Sequence, residues 1–291
     1  MRTKQEMMDL IVRVAEKDER IRAVGMNGSR VNRKAPRDIF QDYDIVYLVS
    51  ELDSFLQNPE WIDVFGERII LQTPEDMSLF PPELGGRFTY LMLFKDGNRI
   101  DLMLAPVEEK GAYCKEDSLT KIVLDKDGDM PTLSNPTDQD YWIAKPSEAH
   151  FADCCNEFWW VSTYVVKGLW RKEILYAQDH LNGSCRQMLL KMLDWQVGIE
   201  TGFAVSTGKN SKYLKQYITD KEWEQLMATY AGGNYEAVWN SLFSSVSLFR
   251  KTAIRVADSL GFDYNSEEDQ NVSAYLERVR QLPPDADVIY E

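Results

Sequence analysis

Apolar residues recur at helical spacing from the start of the chain. Met7, Leu10, Ile11 and Val14 fall on one face of residues 3–18, which predicts an amphipathic helix there. Apolar runs bounded by polar, Gly or Pro residues follow at 20–26, 43–49, 67–72, 87–95 and 99–105, and read as strands. Lys95-Asp96-Gly97-Asn98 between the last two is a hairpin turn, and short helices are expected at 51–57 and 74–79. Together these make a small mixed sheet with helices that ends near residue 107. The stretch from Asp125 to Pro146, rich in Asp, Gly and Pro, punctuates the chain as a domain junction.

Past the junction the period becomes that of long helices. Phe158, Val161, Val165 and Leu169 form one apolar stripe, and Met188, Met192, Trp195 and Ile199 a second. Val238, Leu242, Val246, Phe249, Ala253, Val256 and Leu260 form a third, stopped by Gly261. From residue 263 onward the Asp- and Pro-containing tail reads as loosely packed. The fold class is α+β: a small mixed β-sheet domain over 1–135, then a mainly α-helical bundle over 136–291.

Composition narrows the partners. With 33 basic and 47 acidic side chains the net charge is −14, which argues against nucleic acid, because that partner needs Lys and Arg to neutralise phosphates. The same charge favours a cationic partner by long-range attraction. No apolar run approaches the length of a membrane span, and the N-terminus lacks the apolar core of a signal peptide. Cys114, Cys154, Cys155 and Cys185 show no Cys-x-x-Cys spacing, so a reduced, cytoplasmic, monomeric protein is expected. With only His150 and His180 present, His-rich metal sites and Ser-His-Asp catalysis lack material; both histidines are expected as helix-surface or packing residues. Gly202 to Lys209 fails as a P-loop, since the glycines are misspaced and Asn210 stands where Ser or Thr would hold Mg²⁺.

The candidate chemistry sits in the strands. In Asp42-Tyr43-Asp44 the alternation of a strand puts two carboxylates side by side on one face. Such a pair repels unless a cation lies between, and hard divalent cations with oxygen ligands suit it. Upstream, an apolar run enters Gly28-Ser29, where glycine can take positive φ and leave backbone N–H groups facing a phosphate. Downstream, Ile100, Leu102 and Leu104 share one face and Asp101 points from the other. Glycine-serine, then Asp-x-Asp, then Asp on a later strand is the pattern that resembles polymerase-β-like nucleotidyltransferases.

Longer segments narrow the resemblance. Asn27-Gly-Ser-Arg30, Asp38-Ile-Phe-Gln-Asp-Tyr-Asp-Ile-Val-Tyr47, Trp61-Ile-Asp-Val-Phe-Gly-Glu-Arg68 and Phe80-Pro-Pro-Glu-Leu84 resemble the aminoglycoside 6-adenylyltransferase family. So do Cys154-Cys-Asn-Glu-Phe-Trp-Trp-Val-Ser-Thr-Tyr164 and Gly198-Ile-Glu-Thr-Gly202, while the last thirty or so residues match little. The resemblance implies Mg²⁺-dependent transfer of AMP from ATP to a hydroxyl of a streptomycin-type aminoglycoside, and hence antibiotic resistance. Under it Asp42 and Asp44 hold Mg²⁺, and Asp101 is a further metal ligand or the base for the attacking hydroxyl. Gly28, Ser29 and Arg30 face the phosphates, with Lys209 and Lys212 of a Gly-Lys-x-x-Lys stretch as further cations. A guanidinylated acceptor needs carboxylates and aromatic faces, for which Asp153, Glu157, Trp159, Trp160 and Glu83 are candidates. Two other readings stay open: a nucleotidyltransferase with another small-molecule or protein hydroxyl as acceptor, and a non-catalytic nucleotide-binding module.

Overall fold

Thr3 starts the first helix. Its hydroxyl accepts the Glu6 N–H, and the Glu6 carboxylate accepts the Thr3 N–H in return, a reciprocal cap for α1 (Lys4–Lys17). Met7, Ile11 and Ala15 then face inward and are buried. The computed structural model describes residues 1–230 and 232–290. It divides into two compact units, Met1–Asp140 and the chain from Tyr141 onward.

The first unit is built on six strands: β1 (Ile21–Met26), β2 (Tyr43–Val49), β3 (Arg68–Gln72), β4 (Phe88–Phe94), β5 (Arg99–Pro106) and β6 (Lys121–Asp125). Their order in the sheet is β3-β4-β5-β2-β1-β6, with β2 and β5 parallel and the other neighbours antiparallel. On one face Tyr43, Ile45, Tyr47, Ile100, Leu102 and Leu104 pack against α1 in a continuous apolar core. The other face carries a smaller cluster, including Val46, Leu48 and Ala105 beneath Tyr113. Asp42, Asp44 and Asp101 belong to this second, thinly covered face by the alternation of their strands.

The strands and the short helix expected at 51–57 (α2, Leu52–Leu56) form close to their expected bounds. Two expectations fail. Residues 74–79 give only a 3₁₀ turn, Pro74–Asp76, since the run lacks an apolar face to bury. Nor does the sheet end near 107: α3 (Lys110–Glu116) follows, and β6 adds a strand beside β1.

The second unit is a helical bundle of α4 (Glu148–Trp170), α5 (Ile174–His180), α6 (Arg186–Thr201), α7 (Asp220–Met227), α8 (Tyr235–Leu260) and α9 (Ser266–Gln281). Ser147 and Asn234 cap α4 and α8 through their side chains. The expected stripes meet in one core, where the rings of Phe158 and Phe249 stack with centroids 3.8 Å apart. His180 packs its ring against Tyr164 and Tyr176, and His150 lies exposed in the first turn of α4. All four cysteines are buried and free. Among the described residues no helix is long and apolar enough to cross a membrane.

The loosely packed tail is the main correction. Residues 266–281 form α9, capped by Asn265, with Leu276 and Val279 buried against the bundle. Asp269, nearly buried, accepts two bonds from Arg250 at 2.6 and 2.5 Å and a third from the Tyr264 hydroxyl at 2.7 Å. A buried carboxylate so paired fixes the helix against α8. Leu276→Ala should therefore destabilise the protein by about 2–5 kcal/mol in urea unfolding. An unchanged midpoint would return the tail to a loosely attached segment.

Candidate active site

The parallel pairing of β2 and β5 sets Asp44 level with Asp101. Asp42, just ahead of β2, shares the face of Asp44. One oxygen from each of the three carboxylates lies within 4.8 Å of the others, and all three residues are partly buried. Burial pushes the Asp44 carboxyl up to about 7, and the charges of Asp42 and Asp101 add to the rise. Three hard oxygen donors that repel one another while converging on one point fit a divalent cation such as Mg²⁺.

The glycine turn is built onto this cluster. Gly28 takes φ of +71°, and a Cβ there would stand 2.1 Å from Oδ2 of Asp44. Only a residue without a side chain lets the backbone lie against that carboxylate. Asn27 ties the two segments together: its N–H donates to the Asp44 carbonyl at 2.9 Å. The Asn27 side chain in turn accepts from the Tyr113 hydroxyl at 2.7 Å and donates to Thr120 Oγ1 at 2.7 Å. Tyr113 reaches it over Gly25, where an added Cβ would meet the hydroxyl at 1.9 Å. None of Asn27, Tyr113 or Thr120 was among the expected site residues. Gly25 inside a strand was the available signal, since glycine there marks a close approach.

Ser29 follows in a 3₁₀ turn (Gly28–Arg30), and its Oγ accepts a long bond from Gln41 Nε2 at 3.3 Å. That leaves the hydroxyl proton for another acceptor. Arg30 is engaged by the protein itself. Its guanidinium stacks over the Tyr43 ring at 3.5 Å and donates to the carbonyls of Asp42 at 2.7 Å and Gln41 at 2.5 Å. Arg30 thus fixes the backbone leading into β2. A second arginine, Arg99, forks onto both oxygens of Asp101.

The remaining candidates scatter. Glu83 is exposed on the loop between β3 and β4. Within the helical unit a cleft of about 800 Å³ is lined by Asp153 and Glu157 of α4, by Asp194 of α6, and by Lys145, Lys191 and Lys209. Lys209 sits in a loop with Gly208 at φ of +76°, whereas the Lys212 ammonium lies 5.0 Å from the Tyr213 ring and does not line the cleft. Asp194 was not expected; burial raises its carboxyl, which accepts from Thr207 Oγ1 at 2.8 Å. An Asp beside Trp195 on an apolar stripe was its signal. Trp159 is 1% exposed and wedged edge-on against Phe158 and Phe249, so it packs in the core. Trp160 is 58% exposed and donates to the Tyr164 hydroxyl at 2.7 Å.

Residues 1–279 match the model of a family described as streptomycin adenylyltransferase. The chain is 49% identical over 280 residues to an aminoglycoside 6-adenylyltransferase of Bacillus subtilis (strain 168), covering 96% of this chain and 98% of that protein. It is 47% identical over 281 residues to one from Campylobacter jejuni, covering 97% of each. A third, from Staphylococcus aureus, is 39% identical over 277 residues, covering 95% of this chain and 98% of that one. The crystal structure of an aminoglycoside 6-adenyltransferase from Bacillus subtilis is 45% identical, covers 97% of this chain and 100% of its own, and superposes with a TM-score of 0.49.

The crowding of the carboxylates has a consequence for stability. The ordinary Asp value of 3.8 and the folded value of about 7 for Asp44 bracket a window in which the folded, metal-free protein holds a proton that the unfolded chain has released. Stability from this group is full below the lower value and is lost as pH rises through the upper one. At about 1.4 kcal/mol per unit, its share is at most about 4 kcal/mol. In EDTA, the stability of Asp44→Asn relative to the parent should rise between about pH 4 and pH 8, measured by urea unfolding. A pH-independent difference would contradict the raised, buried carboxyl of Asp44.

Proposed function

The chain belongs to the streptomycin adenylyltransferase family, and on that premise we propose that it transfers AMP from ATP to the 6-hydroxyl of a streptomycin-type aminoglycoside. The observation that carries the reading is the convergence of Asp42, Asp44 and Asp101 beside the Gly28-Ser29 turn. A non-catalytic module has no use for three carboxylates that repel one another, so the intact set weighs against that alternative.

Asp42 and Asp44 would hold Mg²⁺, with Asp101 completing the oxygen set. When bound, the ion neutralises charge on the triphosphate and favours departure of pyrophosphate. The chain's own groups do the positioning. Ser29 keeps its hydroxyl proton for a phosphate oxygen, since Gln41 donates to its Oγ. The Gly28 backbone lies against the Asp44 carboxylate, beside the place proposed for the phosphates. Arg30 and Asn27 hold the two segments so that the carboxylates keep their convergence. The acceptor hydroxyl attacks the α-phosphorus in line with the leaving pyrophosphate, whose bond to that phosphorus breaks, and gives its proton to a carboxylate of the cluster or to water.

We assign the cationic acceptor to carboxylates, for which Asp153 and Glu157 in the helical cleft are the best placed. Lys209, on the wall of the same cleft, is the better candidate of the two lysines for an anionic group. The buried, free thiols fit a reducing cytoplasm, where such an enzyme would protect its host from the drug.

Incubation with ATP, Mg²⁺ and a panel of aminoglycosides tests this directly. Streptomycin should gain the mass of an adenylyl group with stoichiometric pyrophosphate, and Asp42→Asn should lose turnover by orders of magnitude. Pyrophosphate release with another hydroxyl compound but no modified aminoglycoside would replace the acceptor. Full turnover in Asp42→Asn would remove the carboxylate mechanism.

A further inference from the structure

Arg99 opens β5 two residues before Asp101, so both side chains stand on the same face of the strand. Its Nε and Nη2 donate to Oδ1 and Oδ2 of Asp101, each at 2.6 Å. This is the two-pronged match of a planar guanidinium to a carboxylate. The contact joins nothing in the fold, since both partners belong to one strand. Arg30, by contrast, reaches across to hold the segment ahead of β2. The charge of Arg99 is also felt by Asp42 and Asp44.

Both its exposure and its chemistry make Arg99 removable. The guanidinium side chain is 47% exposed and its partner 19%, so the pair lies at the solvent edge of the cluster. An arginine keeps its charge at any physiological pH. It can therefore free Asp101 only by swinging away, and its own guanidinium, nearly half exposed, is rehydrated when it does. While it stays, each oxygen of the carboxylate in register with Asp44 accepts one of its bonds, and its positive charge stands beside the cluster a cation would enter.

Resting on the metal-binding reading above, the geometry points to Arg99 as an internal counter-cation: it occupies Asp101 until a divalent cation displaces it, and so limits metal affinity in the nucleotide-free enzyme. Arg99 is a positioning residue in this account. It relieves repulsion in the resting cluster and competes with the ion for the third carboxylate.

Mn²⁺ binding to the nucleotide-free full chain, followed by electron paramagnetic resonance of free Mn²⁺, tests the competition without turnover. Arg99→Gln should bind Mn²⁺ about three- to tenfold more tightly than the parent, because it frees Asp101 and removes a positive charge. Arg99→Lys keeps the charge but loses the fork, and should fall between; it carries the test if the glutamine variant does not fold. Equal or weaker binding by these variants, with the parent binding Mn²⁺ and Asp42→Asn not, would overturn the role of Arg99 alone. Absence of Mn²⁺ binding in parent and variants alike would overturn the metal site, and this inference with it.

Discussion

Repulsion among three carboxylates on one face of the sheet, at its two central strands, is the constraint around which the first unit is arranged. Asp44 and Asp101 meet because β2 and β5 run parallel and in register, so each strand brings its acid to the same level. The strands cannot shift to relieve the charge. Tyr43, Ile45, Tyr47, Ile100, Leu102 and Leu104 lock their opposite faces into the core against α1, and a slip of one residue would turn all of them outward. Apolar burial on one face thus holds an electrostatically unfavourable cluster on the other.

The surrounding residues fit that constraint. Gly28 is without a side chain because Asp44 fills the space where one would go. Gly25 is bare because Tyr113 crosses it to reach Asn27, and Asn27 ties the turn to the Asp44 carbonyl. Two arginines meet the cluster in different ways: Arg30 grips backbone and an aromatic face, and Arg99 grips a carboxylate. Among the described residues the helical unit has no comparable crowding. Its cleft mixes Asp153, Glu157 and Asp194 with three lysines, a surface suited to a ligand carrying charges of both signs.

Much of this was legible in the sequence because it rests on local pattern. The strand runs, the hairpin at Asp96-Gly97 and the apolar stripes of α4, α6 and α8 all follow from spacing. The Asp-x-Asp pair and the Gly-Ser turn are equally local. What escaped depended on partners distant in sequence. β6 is a short run, Lys121–Asp125, that becomes a strand only by pairing with β1. α9 was hidden by its charges, although Asn265, its acidic first turn and Arg278 and Arg280 near its end are helix signals. Arg30 and Trp159 show what residue chemistry alone leaves out: stacking on Tyr43 and burial among Phe158 and Phe249 use the same properties for packing.

The central claim is that the three carboxylates converge in order to share a divalent cation. Anomalous diffraction from crystals grown with Mn²⁺ and a non-hydrolysable ATP analogue would locate the ion directly. The account predicts a peak about 2 Å from one oxygen each of Asp42, Asp44 and Asp101, with the triphosphate against Gly28 and Ser29. Mn²⁺ bound to the nucleotide elsewhere, with the carboxylate cluster bare, would contradict it.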